Sequence, residues 1–270
     1  MTTGAAAPGI GVRGRRPAGL TNGMIVAEIL IVLALSLGRS GVYAVVSFIG
    51  DLTSGVPLAD QTAVLNGSLA PGRPLLDLVR QVLRIAFALA PVGLVWYLLV
   101  RSGEGLRSLG MDATQPVRDL ARGAGLAALV GGVGLVGYLV AYASGANLAV
   151  VAQDLPEQWW RWPVLIGAAG QNAILEEVVV LGFVMRRLTQ LGWGRWPAIT
   201  TSAAVRASYH LYQGIGGLLG NFAMGLFFGW LFTRWGRVLP FLIAHALIDI
   251  VAFLGYAALE GRVDWLPGAG

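Results

Sequence analysis

NAILEEVVVLGFVMRR, running from Asn172 to Arg187, sets two adjacent carboxylates, Glu176 and Glu177, inside a stretch of Ile, Leu, Val, Ala, Gly and Phe. An ionised carboxylate in apolar surroundings costs several kcal/mol unless it is paired. Two of them side by side require partners elsewhere in the chain. Those partners either build a catalytic site or compensate charge at a helix contact.

The surrounding composition decides what kind of apolar surroundings these are. Of 270 residues, 56% are hydrophobic and only 12% charged, with a mean hydropathy of +0.70. Soluble domains carry about 25% charged residues, and several apolar runs here reach the roughly 20 residues that span a bilayer. The fold class is therefore an all-α polytopic membrane helix bundle, with the lipid bilayer as its surroundings. The net charge of +5 comes entirely from arginine. No nucleic-acid motif accompanies it, so the arginines read as loop residues that set topology, and no nucleic-acid partner is expected. Cysteine is absent, which removes disulfides, a thiol nucleophile and Cys-ligated metals.

Outward from the glutamates, the chain divides simply. Residues 1–23, rich in Gly, Ala and Pro and carrying Arg13, Arg15 and Arg16, are expected to form a disordered cytoplasmic tail. Residues 24–259 hold the transmembrane bundle, and 260–270 a short C-terminal tail. About seven spans are expected: 24–49, 75–100, 123–142, 163–185, a short 197–212, 218–235 and 238–259. The first is broken by Gly38-Arg39-Ser40-Gly41, so Arg39 must face protein or water. Trp159, Trp160 and Trp162, then Trp193 and Trp196, mark membrane surfaces. With the N-terminus inside, 12 arginines fall in cytoplasmic segments and 3 to 5 in external ones, the bias of the positive-inside rule. This places a multi-pass protein in the cell membrane with a cytoplasmic N-terminus. Oligomeric state is not written in the sequence.

Few ionisable residues remain at membrane depth: Arg39, Glu176, Glu177, Arg206, His210, His245 and Asp249. Both histidines of the chain are among them, which points to a functional site. On an ideal helix Glu176 and Glu177 lie about 100° apart and cannot face one partner. Arg206 and His210, like His245 and Asp249, are one turn apart on a common face, and Asn172 precedes Glu176 by one turn. A glutamate can serve as general base for water, a histidine opposite can position that water, and a His/Asp pair can steady an oxyanion. Such a set hydrolyses a peptide bond without serine or cysteine. Zinc is the rival, since Glu176, His210 and His245 together have the composition of a catalytic ligand set. HExxH is absent, so no cofactor is assigned and a divalent metal stays open.

Glu176-Glu177, then His210, then His245 with Asp249, in that order on successive membrane helices, resemble the CPBP family. This group includes prenyl-protein CAAX endopeptidases and bacterial Abi-type proteins. Its pattern of EExxxR, FxxxH and HxxxN or HxxxD is matched over about residues 163–258. The resemblance implies Glu176 as the base, His210 as its partner, His245 and Asp249 as the oxyanion-stabilising pair, and Glu177 as a supporting acid. It implies an intramembrane endopeptidase acting on a peptide or membrane-protein substrate. Two positions depart from the pattern: Leu181 stands where the family has arginine, and Arg206 where it has phenylalanine. The expectation is that the cation has moved between helices, with Arg206, or failing that Arg39, pairing Glu177. The alternative is a non-catalytic membrane scaffold or immunity-type protein with a degenerate site. A transporter, by contrast, finds no inverted repeat to support it.

Overall fold

The structure, a computed structural model, describes residues 16–263 and 265–267. Most of the tail expected over residues 1–23 lies outside them. Ten α-helices carry the described fold: α1 (Asn22–Ala34), α2 (Leu37–Thr53), α3 (Pro74–Ala88), α4 (Ala90–Arg101), α5 (Pro116–Ala143), α6 (Arg161–Glu176), α7 (Met185–Gln190), α8 (Arg195–Ser208), α9 (Ile215–Trp235) and α10 (Leu239–Leu259). Two three-residue strands, β1 (Thr62–Val64) and β2 (Ala149–Val151), pair in parallel between the loops of one end, with Ala63 opposite Val150. Of the described residues 72% are helical, which makes an all-α membrane bundle. Local chemistry starts several helices, although α5 begins at Pro116, ahead of the expected 123. The Thr21 hydroxyl accepts the Met24 amide at 3.2 Å, and prolines open α3 and α5.

The expected seven spans are not all present. Among the described residues five helices are long and apolar enough to cross: Pro74–Arg101, Pro116–Ala143, Arg161–Gln190, Ile215–Trp235 and Leu239–Leu259. The bent pair α1–α2, with a 53° angle between its halves, makes a sixth if it counts as one span. The shortfall is α8, whose 14 residues give roughly 21 Å of helix, less than the hydrocarbon thickness. The bend in the first span falls at Leu35 and Ser36, just before the expected break. A Cβ at Gly38 would lie 2.8 Å from the Leu33 carbonyl oxygen, and one at Gly41 would lie 2.5 Å from Ser208 Oγ. Both glycines are therefore needed, one for the bend and one for the approach of α8.

Burial follows membrane logic. Only 6% of the most apolar window of α5 is buried, and Leu129, Val133, Val136 and Val140 form an outward stripe for lipid. The corresponding figure for Arg161–Gln190 is 72%, so the helix of the two glutamates is the axis of the bundle. That axis is not α-helical throughout. Between α6 and α7, Glu177–Val184 forms a π-helix, a wide turn that occurs mostly at functional sites. Three consecutive β-branched valines weaken the α preference there. Ser202 of α8 donates to the Val180 carbonyl at 3.1 Å, and Gly182 admits Leu109 and Val238 at close range.

The arginine-rich end is closed by two buried clasps. Arg187 is fully buried, with Nε 2.9 Å from Glu28 and Nη1 3.2 Å from Glu104. Arg186 also pairs with Glu104, and Arg101 with Glu28 at 3.0 Å, which ties α1, α4 and α7 together. Arg237 forms the second clasp, pairing with Asp119 at 2.7 Å and Asp112 at 3.0 Å. Breaking a buried pair by removing one partner strands the other charge. Arg187→Ala strands Glu28 and Glu104 together, and should lower the stability measured by denaturation in detergent by about 3–5 kcal/mol.

Candidate active site

The site assembles where α6, α8, α9 and α10 meet. Glu176, the last residue of α6, faces a cavity of about 310 Å³ that His210, His245, Asp249 and Asn172 also line. Glu177 does not line it. It is completely buried behind the cavity, and its Oε1 accepts two bonds: from Arg206 Nη2 at 2.6 Å and from His245 Nδ1 at 2.8 Å. The adjacent glutamates thus diverge, as their angular separation requires. Arg206, itself 1% exposed, lies between them, with Nη1 3.6 Å from Glu176 Oε2. The cation absent at Leu181 is supplied from α8. Leu181 is buried in the hydrophobic core, within the π-helix.

Each remaining polar group has a defined orientation. His245 places Nδ1 on Glu177 and Nε2 3.7 Å from Asp249 Oδ2. Asn172 donates to that same Asp249 oxygen at 3.3 Å, so it orients Asp249 rather than Glu176. His210 contacts the Arg206 carbonyl through Nδ1 at 3.0 Å. A carbonyl only accepts, which puts the His210 proton on Nδ1 and the Nε2 lone pair toward the cavity. Tyr209 donates to Glu176 Oε2 at 2.9 Å and packs its ring 4.8 Å from that of His210. With Oε2 engaged by Tyr209 and Arg206, Oε1 of Glu176 is the oxygen left for a substrate or a water.

One expectation changes here. Arg39 is exposed, lines a neighbouring space of about 540 Å³ with Tyr43 and Ser47, and pairs with neither glutamate. Its helix turns it away from α6 after the bend, and Arg206 takes the position instead. Among the described residues no group of three or more His, Cys, Asp or Glu side chains is placed to hold a metal ion. His245 turns Nδ1 to Glu177 and keeps Nε2 on the side of Asp249. Tyr209 and Arg84, both lining the cavity, were not among the expected site residues. Tyr209 differs from an ordinary interfacial tyrosine only in preceding His210. Arg84 reads as an ambiguous loop-side cation.

Residues 158–251 match the family model for type II CAAX prenyl endopeptidase Rce1-like proteins. That segment contains every motif residue of the cavity. The match covers about a third of the chain, from α6 through most of α10, and supports the CPBP resemblance and a protease class there. No curated protein and no solved structure matches the chain. Within this matched segment the Glu177–Arg206 pair is testable as a unit. Arg206→Leu leaves Glu177 buried without its strongest partner and should cost about 3–5 kcal/mol. Combining it with Glu177→Gln removes both charges, and the double variant should recover at least half of that loss in the same denaturation assay.

Proposed function

We propose that the chain is an intramembrane endopeptidase in which Glu176 activates water against a peptide bond. The observation that carries this reading is the shared cavity: Glu176, His210, His245 and Asp249 line one space, while the charge-balancing pair Glu177–Arg206 is sealed behind it. A water between Glu176 Oε1 and His210 Nε2 meets one base and one acceptor. Glu176 takes its proton as the water oxygen bonds to the carbonyl carbon. The carbonyl electron pair moves onto oxygen, beside His245 and Asp249. His245 has a carboxylate beside each nitrogen, Glu177 at Nδ1 and Asp249 near Nε2, and can hold N–H bonds on both. The Nε2–H then donates to the developing oxyanion. Collapse of that intermediate expels the amine, which leaves with the proton from Glu176.

Glu177 and Arg206 act as positioning residues in this scheme. Glu177 fixes the His245 ring, and Arg206 neutralises Glu177 while its backbone carbonyl fixes His210. One arginine therefore sets the orientation of both histidines. The substrate is a peptide or membrane protein, and the family name points to a prenylated chain end as the first to try. The arginine-rich end with its two clasps is assigned to the cytoplasm, with the N-terminus on that side in the cell membrane. The cavity extends toward the opposite end, where Leu65 and Asn66 line it next to β1.

Glu176→Gln and His210→Ala are expected to fold and insert while losing cleavage of a farnesylated reporter peptide by about 10²–10⁴-fold, the usual worth of a general base. Tyr209→Phe removes one hydrogen bond to the base and should cost about tenfold in kcat. Normal cleavage by the Glu176→Gln protein would overturn Glu176 as the base, whereas no cleavage by the unaltered protein would favour the scaffold reading.

A further inference from the structure

Arg84 has no part in the hydrolytic scheme, yet it is built into the same cavity wall. It lies in α3, the first half of the apolar helix Pro74–Arg101. Ten residues into that helix, its backbone is roughly 15 Å from the helix start, at membrane depth. A guanidinium there stays charged and offers five N–H donors, so it needs acceptors. Among the described residues it finds little. Nη2 donates to the Asn66 amide oxygen at 3.2 Å, and Nε is buried without an acceptor.

The nearest acid along its own helix, Asp77, acts on it through its charge but forms no ion pair with it. Asp77 is fully engaged by the Ser68 hydroxyl, the Leu69 amide and the Gln81 side chain. The acids that share the cavity are Glu176 and Asp249, and neither comes within ion-pair distance of Arg84. The buried arginines differ in this respect: Arg187, Arg206 and Arg237 each have a carboxylate within 3 Å, and Arg161 pairs with Glu260 at 3.6 Å. Arg84 is a cation in a polar cavity whose ion-pair partner the protein withholds.

Its place relative to the base is also informative. Ile85, the next residue, reaches the level of Gly167 on α6, and Glu176 lies nine residues further along that helix, roughly 13 Å on. An extended peptide crossing the cavity with its scissile bond at Glu176 brings a position a few residues away to Arg84. We propose that Arg84 is a specificity-determining residue that binds a carboxylate of the substrate, a few residues from the bond that is cut. A carboxylate suits it because a guanidinium fork donates to two carboxylate oxygens in one plane. Two parts of a peptide carry that chemistry, a free C-terminus and an acidic side chain. Asn66 holds one side of the fork in place and leaves the rest to the substrate.

The proposal rests on the proteolytic reading, and binding separates the two. Matched farnesylated, fluorophore-labelled peptides would be titrated by anisotropy against the E176Q protein in nanodiscs. One ends in a free acid, one in an amide, and two carry an internal Asp or Asn with an amide end. With Arg84 present, the acid should bind about tenfold more tightly than the amide if the C-terminus is the ligand. The Asp peptide should exceed the Asn peptide by a similar factor if a side chain is. In E176Q/R84Q that preference should disappear, and in E176Q/R84K part of it should return, which a merely structural role would not reproduce. Equal binding of all four peptides, no binding of any, or a preference that survives R84Q would overturn the proposal. Preferential binding of a peptide that the protein with Glu176 intact then fails to cut would leave the Arg84 assignment standing and refute proteolysis.

Discussion

The buried pair between Glu177 and Arg206 is the interaction on which the site depends. Two charges removed from water interact strongly, but only excellent geometry offsets their loss of hydration. Here the geometry is supplied by four elements at once: the π-helix carries Glu177, α8 carries Arg206, α10 brings His245 to the same oxygen, and Phe228 of α9 lies 5.8 Å beneath the guanidinium. The pair is therefore a junction of the bundle as well as a neutralising contact. Through Arg206 and Glu177 it fixes the rings of His210 and His245, and through Nη1 it approaches the base itself.

That junction also accounts for the departure from the family pattern. A cation on the same helix as the glutamates would stand at residue 181, but Leu181 lies inside the π-helix and packs in the core. Moving the cation to α8 lets the wide turn remain apolar beyond Glu177. It also gives one residue, Arg206, influence over both glutamates, which a same-helix arginine one turn below Glu177 could not reach equally. The trade is that α8 must be held tightly against the axis. Gly41 of α2 and Gly225 of α9 permit this, since a Cβ at either would fall within 3 Å of α8 atoms.

Much of this was legible in the residues. Composition alone required a membrane bundle, and removing the loops left both histidines and the glutamate pair as the only chemistry of note. The lost arginine at Leu181 and the gained one at Arg206 pointed to their exchange across helices. What the sequence could not express were features that need a neighbour to exist. The π-helix depends on Ser202 reaching the Val180 carbonyl. Tyr209 becomes part of the site only because its hydroxyl meets Glu176. Arg84 gains significance only because the cavity that holds the base also takes its side chain into the wall. The span count was overestimated because hydropathy does not show that 197–212 ends its helix early, ahead of the Gly214 turn.

The π-helix has a mechanical meaning as well. An α-helix advances about 100° per residue, and an i→i+5 turn advances less, so residues beyond the wide turn lag in azimuth behind those before it. Glu176 sits above the turn and Arg186 and Arg187 below it. The turn thus acts as a phase shifter between two halves of one rod: the upper half aims a base at the cavity, the lower half aims two cations at Glu28 and Glu104. Tightening it to a regular α-helix would leave both halves intact, yet no rotation of the rod could then satisfy the cavity and the clasp together.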